Sequence, residues 1–255
     1  MKVVLFCGGL GTRLREHSET IPKPLVTIGY RPIIWHLMRY YASFGHKDFV
    51  LCLGYQGAAI REYFLNYNEA MSNDFTMSDG GRHIELHSRD LNDWRITFVD
   101  TGLHSNIGER LLAVRRYVEG EKVFLANYSD GLADIPLAKM LAEFSAHDAV
   151  ASFAAVKPWS SFHSVRLADD GFVSELAAVR DQESLVNGGY FVLRTDVFDY
   201  IQPGEELVEA PFQRLIAAHK LLAFVHSGFW RAMDTLKDKI AFDRMYAAGE
   251  HPWVV

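Results

Sequence analysis

The stretch FCGGLGTRLRE (residues 6–16) places glycines at 8, 9 and 11 ahead of Arg13, and a lysine follows at position 23. Glycine leaves backbone N–H groups uncovered by any Cβ, and a turn of such groups can surround a phosphate. Cations beside the turn would neutralise its charge. A dinucleotide site asks for G-x-G-x-x-G/A, and Leu14 stands where the third small residue belongs. The acid that would hold a ribose at the end of a second strand is also missing from VLCLGYQG, so the glycine spacing excludes an NAD-linked oxidoreductase. A P-loop asks for G-x-x-x-x-G-K-[ST], which the loop does not supply. Two readings stay open. One is a plain tight turn between strand and helix. The other is a nucleoside triphosphate lying along the glycines, with Arg13 on the leaving phosphates and Lys23 on the α-phosphate.

Other residues capable of chemistry are scattered. Asp130 (in SDG) and Asp234 (in MDT) close strand-like runs, where a single aspartate is usually a turn or cap residue. His83 and His87 have the i, i+4 spacing of a zinc pair on a helix, but their segment reads as strand or loop, which makes them surface residues. His36 reads as an ordinary helix histidine, and Phe229 and Trp230 as core or pocket wall. Cys7 and Cys52 lie in apolar runs and are expected to be reduced and structural.

The elements that must position these residues alternate. KVVLF is a short β-branched run buried on both faces, as in a parallel sheet. A helix is predicted over 32–45, opening at proline and closing at glycine. A strand follows over 48–54, a helix over 57–67, a strand over 95–102, a helix over 107–118, a strand over 122–131 and a helix over 136–147. Four strand–helix repeats predict βαβ units and one mostly parallel, Rossmann-like central sheet flanked by helices. Residues 70–95, with the turn Asp79-Gly80-Gly81, read as a protruding hairpin or lid. Past residue 149 the pattern becomes strand-rich, with a short helical piece over 195–200 and an amphipathic helix near the end, and extends the first sheet. The expectation is a single domain over 1–255, with a nucleotide-binding half at 1–148 and an acceptor-binding half at 149–255.

Composition narrows the class. With 255 residues, 49% hydrophobic and 23% charged, the chain is globular rather than disordered. A net charge of −6 carries no nucleic-acid footprint. No apolar stretch approaches membrane-spanning length, and MKVVLF meets its glycines too soon for a signal peptide. A soluble, cytoplasmic enzyme is expected.

The segment GGLGTRL…KP resembles the N-terminal signature of the nucleotide-sugar pyrophosphorylase family. CLGYQGAAIREYFLNY, VDTG, ADIPL, NGGYFVL and GFWRAMDTLKDK are similar to its glucose-1-phosphate cytidylyltransferase branch, and the likeness runs nearly end to end. The resemblance implies a glycosyltransferase-A-like nucleotidyltransferase fold and transfer of a CMP group from CTP to a phosphate-bearing acceptor, with loss of pyrophosphate. It implies that Arg13 holds the β- and γ-phosphates and Lys23 the α-phosphate. Cys7, Gly8, Gly9, Gly11, Thr12, Ser105 and Arg110 would contact nucleotide, and Asp130 and Asp234 would hold Mg2+. Arg110 could equally be a solvated arginine at a helix start. Relatives assemble as homo-oligomers, and the same is expected here.

The chain departs from that branch on the acceptor side. Where the family has Glu-Lys-Pro, this chain has Ala178, Val179 and Arg180. His163 replaces a glycine that lets the sugar approach the backbone, Glu109 stands inside a Gly-Gly-Arg-Leu motif, and Leu207-Val208 replaces a Trp-Glu pair. Losing a charge-assisted phosphate contact costs about 1.5–3 kcal/mol, roughly tenfold to over a hundredfold in affinity. The expectation is an acceptor other than ordinary glucose 1-phosphate, such as another sugar phosphate or a non-sugar phosphate or phosphonate. His163, Arg180, Asn187 and Gly188 would surround it. The alternatives are a glucose-1-phosphate cytidylyltransferase proper and a nucleotide-binding homologue without catalysis.

Overall fold

A computed structural model of the chain describes residues 1–9, 21–159, 163–178 and 184–254. The strands of three or more residues are β1 (Lys2–Phe6), β2 (Asp48–Leu53), β3 (Phe75–Ser78), β4 (His83–Leu86), β5 (Arg95–Asp100), β6 (Val123–Tyr128), β7 (Gly131–Ala133), β8 (Ala151–Val156), β9 (His163–Leu167), β10 (Val173–Ala178), β11 (Val186–Arg194), β12 (Leu221–His226) and β13 (Trp230–Ala232). The longer helices are α1 (Ile33–Ser43), α2 (Gly57–Leu65), α3 (Ile107–Val118), α4 (Leu137–Ser145), α5 (Ala210–Ala217) and α6 (Leu236–Ala247).

Seven strands form one sheet in the order β12-β8-β11-β6-β1-β2-β5. β1 pairs in parallel with β2 and β6, β2 with β5, and β8 with β12. β11 runs antiparallel to both of its neighbours, β6 and β8. Of the strands after residue 149, β8, β11 and β12 thus join the sheet begun by β1, whereas β9 and β10 form a two-stranded sheet of their own and β13 pairs with β7.

The period of two explains why β1 is apolar from Val3 to Phe6. Val3 and Leu5 face a core shared with α1, while Val4 and Phe6 face a second core that contains Leu111, Val114 and Val118 of α3. The glycine turn follows β1 directly. It therefore emerges at the carboxyl edge of the sheet, between the α1 face and the α3 face, where open α/β sheets bind ligands.

Residues 75–86 form the expected hairpin, with Gly80 and Gly81 at positive φ in its turn. His83 lies on β4, and His87 contacts Thr76 Oγ1 across the hairpin at 2.7 Å. These histidines share no helix, and no group of three or more metal-binding side chains occurs among the described residues. Helix α5 stands in a stretch where the periodicity suggests no element. Its eight residues open with a proline in the first turn and bury Phe212 and Leu215. No helix among the described residues is long and apolar enough to cross a membrane.

His36 on α1 is buried. Trp253 Nε1 donates to its Nδ1 at 3.3 Å, which assigns the proton to Nε2, 3.1 Å from the Ile28 carbonyl. Burial lowers its pKa from 6.5 to about 4. Between those values the unfolded chain binds a proton that the folded chain refuses. Stability from this residue is therefore full above pH 6.5 and falls as the pH drops towards 4, by about 3 kcal/mol in all. Urea midpoints followed across this range should fall less steeply for a His36→Gln variant than for the native protein.

Candidate active site

The site is assembled from the ends of β1 and β6, the segment after β13, the start of α3 and the short 3-10 turn Lys23–Leu25. β1 continues its ladder one residue further, Cys7 N–H donating to the Cys52 carbonyl at 2.9 Å. Burial pushes the Cys7 thiol up to about 12, so it is a neutral wall atom. Ser129 Oγ donates to the Phe6 carbonyl at 2.8 Å and ties the end of β6 to that of β1.

The two aspartates lie 104 positions apart in the chain (234 − 130) and meet through a short ladder. β7 follows Asp130 and β13 precedes Asp234, and they pair antiparallel, with Ala232 opposite Gly131. Met233 N–H donates to the Asp130 carbonyl at 2.8 Å. Lys23 Nζ then donates to Asp130 Oδ2 at 2.6 Å and to Asp234 Oδ1 at 2.8 Å. Burial alone would pull the lysine's pKa down. The two carboxylates outweigh it and leave the net shift upward, so the ammonium stays charged.

Arg110 sits on the other side of the glycine turn and is neither solvated nor at the surface. It is 3% exposed. Its Nη2 donates to the Gly8 carbonyl at 3.0 Å, and its Nη1 to the Gly102 carbonyl at 2.9 Å, Thr101 Oγ1 at 2.8 Å and the Leu53 carbonyl at 3.3 Å. One guanidinium thus fastens three loops to each other. A Cβ at Gly8 would collide with that guanidinium, and one at Gly54 would come within 2.8 Å of it. Glycine at both places is a condition of seating the arginine.

A cavity of about 350 Å³ opens over these groups, lined by Cys7, Gly8, Gly9, Lys23, Ser105, Arg110, Asp130 and Asp234. Eight residues singled out from the sequence therefore share one wall. Phe6, Pro24, Asn106, Ile107, Tyr128, Ser129 and Glu206 complete it. Phe6 and Pro24 belong to the glycine and Lys-Pro motifs and Ser129 to SDG, whereas Asn106, Ile107, Tyr128 and Glu206 stand in no motif that the sequence isolates. Glu206 lies in EELVEAP, just before the substituted pair Leu207-Val208, and the contact of its loop with α3 is what brings it to the cavity.

Gly11, Thr12, Arg13 and Arg180 lie outside the described residues. His163 opens β9 and is exposed, paired in register with Ala178 of β10. Asn187 Oδ1 accepts the Gly189 N–H at 2.9 Å, and the Gly188 carbonyl accepts Trp230 Nε1 at 2.8 Å. His163, Asn187 and Gly188 do not line the cavity around Lys23.

A cation clamped by two acids, next to a glycine turn at the carboxyl edge of a parallel sheet, marks an α/β enzyme that handles phosphate esters. Residues 2–244 match the family described as Nucleotidyl transferase. The chain belongs to that family and is a nucleotidyltransferase. It is 39% identical over 254 residues to a glucose-1-phosphate cytidylyltransferase of Salmonella typhimurium, covering 99% of this chain and 98% of the relative. It is 35% identical over 257 residues to a probable glucose-1-phosphate cytidylyltransferase of Bacillus subtilis, covering all of both. Its fold matches a crystal structure of UDP-glucose pyrophosphorylase complexed with UDP-glucose, with a TM-score of 0.71 at 17% identity, over 97% of this chain and 98% of the other.

Proposed function

We propose that the protein transfers a cytidylyl group from CTP to glucose 1-phosphate, releasing pyrophosphate. The observation that carries the reading is the Lys23 ammonium held between Asp130 and Asp234 beside Gly8 and Gly9. The full-length likeness to glucose-1-phosphate cytidylyltransferases supports the choice of nucleotide and acceptor.

In this reading an oxygen of the sugar phosphate attacks the α-phosphorus in line. The bond from the α-phosphorus to the oxygen bridging it to the β-phosphorus breaks, and pyrophosphate leaves with that oxygen. Little covalent help is needed, and positioning with charge neutralisation dominates. Lys23 meets the α-phosphate with an ammonium kept charged by its two acids. The Gly8–Gly9 backbone lets the phosphates lie against the turn, and Arg110 holds that backbone in place.

Magnesium fits the donor set. It prefers oxygen ligands and keeps several waters, so two carboxylates and the phosphates suffice. Asp130 and Asp234 already share one cation, the Lys23 ammonium, and would hold the metal. When bound it neutralises triphosphate charge.

The sequence alone favours a different acceptor, whereas the relatives favour glucose 1-phosphate. A different acceptor stays as the second reading because of one pairing. His163 and Ala178, two of the substituted positions, are cross-strand partners on the β9–β10 hairpin, so the changes are clustered. The test is pyrophosphate release from CTP and magnesium with a panel of acceptors. Glucose 1-phosphate should be turned over best. Turnover of another phosphate ester only would favour the second reading, and CTP binding with no release for any acceptor would defeat both.

A further inference from the structure

Glu206 enters the nucleotide cavity from a loop that has no part in the charged trio of Lys23, Asp130 and Asp234. Its placement is built. Oε2 accepts the Ile107 N–H at the start of α3 at 3.2 Å, and Oε1 accepts the Leu207 N–H at 2.9 Å. Gly108 makes room for this loop, since a Cβ there would collide with the Glu205 carbonyl. Leu207 anchors the loop in the core on the α3 face of the sheet.

The cavity straddles the sheet edge. Lys23 comes from the α1 face, where Val26 and Met233 pack into the core with α1. Ile107 and Glu206 come from the α3 face, where Ile107 and Leu207 pack with Leu111 and Val114. A nucleotide whose α-phosphate lies at Lys23 extends its base towards Ile107 and Glu206. That end is unsuited to phosphate, because a carboxylate there repels it. A carboxylate has about four lone-pair sites, and the two backbone N–H groups take two. The remaining capacity asks for hydrogen-bond donors. The ring of Tyr128 and the side chain of Ile107 supply flat apolar walls next to it. Burial, with the charges of Glu206 and Asp130, holds the Tyr128 phenol above its ordinary pKa, so the wall is neutral.

We infer that Glu206 is a base-selecting residue, accepting a hydrogen bond from the exocyclic 4-amino group of cytosine and disfavouring uracil. Uracil presents an acceptor oxygen at that position, which would face the carboxylate without a proton between them. Acidic side chains read the cytosine amino group in this way elsewhere, and a buried acceptor left unpaired is what rejects the wrong ligand. The inference rests on the cytidylyl reading of the site.

Calorimetry with CTP, UTP and pyrimidin-2-one riboside triphosphate, which lacks the 4-amino group, tests it. The native protein should bind CTP about tenfold to a hundredfold more tightly than either analogue. Glu206→Gln, which keeps the shape, should compress the CTP-to-UTP ratio by about tenfold or more. A role confined to anchoring α3 would lower the melting temperature and weaken CTP and UTP alike, leaving the ratio unmoved. That result overturns the inference, and so does equal native affinity for CTP and the analogue without the amino group. The analogue comparison uses native protein only, so it decides the matter even if the variant folds poorly. Because these readouts are affinities, they stand apart from the acceptor panel. Base selection with no pyrophosphate release would defeat the transfer reading alone, and release without base selection would defeat this inference alone.

Discussion

An Asp130→Ala variant should stay folded and lose magnesium-dependent nucleotidyl transfer by about 10²- to 10³-fold, the scale of removing one preorganised electrostatic partner. The carboxylate is one of two that hold Lys23 among the described residues, at 2.6 Å, and one of the two proposed to hold a divalent ion. Without it, Asp234 alone must serve the lysine and the metal, and the magnesium concentration for half-maximal rate should rise. The fold should survive because the ladder from β7 to β13 uses the Asp130 main chain, whose carbonyl accepts the Met233 N–H. Pyrophosphate release read against a magnesium titration, together with a melting curve, checks both halves. A folded variant with near-normal turnover would remove this carboxylate from the mechanism.

Much of the frame is legible because its physics is local. β1 is apolar from Val3 to Phe6 since both faces are covered there, and a short β-branched run of that kind between a lysine and a glycine turn has few other solutions. α3 is written in full, from its Asn106–Glu109 capping box to two arginines in the last turn, and its bounds coincide with the expected 107–118. α5 is illegible because it is short and opens on Glu-Ala-Pro, so its burial of Phe212 and Leu215 is decided by β-strands far away in the chain. The pairing of Asp130 with Asp234 lies between these cases. Family motifs put both at a metal, but their approach depends on a three-residue ladder with no recognisable sequence. Glu206 precedes the substituted pair Leu207-Val208 but is not itself a motif residue. Its place in the cavity follows from a loop packing against Gly108 across nearly one hundred residues, and such contacts leave no trace in local pattern.

Arg110 has a structural duty that its motif does not announce, and its replacement should show it. Family likeness makes it a nucleotide contact, and the structure makes it the fastener of the Gly8, Leu53 and Gly102 carbonyls. Arg110→Ala would take the guanidinium donor from the Gly102 carbonyl and leave the Gly8 carbonyl with a long bond from Tyr55 N–H at 3.4 Å, while the Leu53 carbonyl keeps the Thr101 N–H and hydroxyl. Unsatisfied buried groups cost about 1–3 kcal/mol each, and partial relaxation or entry of water recovers some of that. We expect a loss of about 3–5 kcal/mol in urea denaturation, among the largest for any single residue. CTP affinity should fall with it, because the turn proposed to receive the phosphates is no longer held. Arg110→Lys should recover only part of the stability, since one ammonium cannot span acceptors that a planar fork reaches from two nitrogens. A residue that merely touched the nucleotide would behave differently. Its loss would weaken CTP binding and leave the denaturation curve of the ligand-free protein where it was, so the unliganded stability of the variant distinguishes the fastener from the contact.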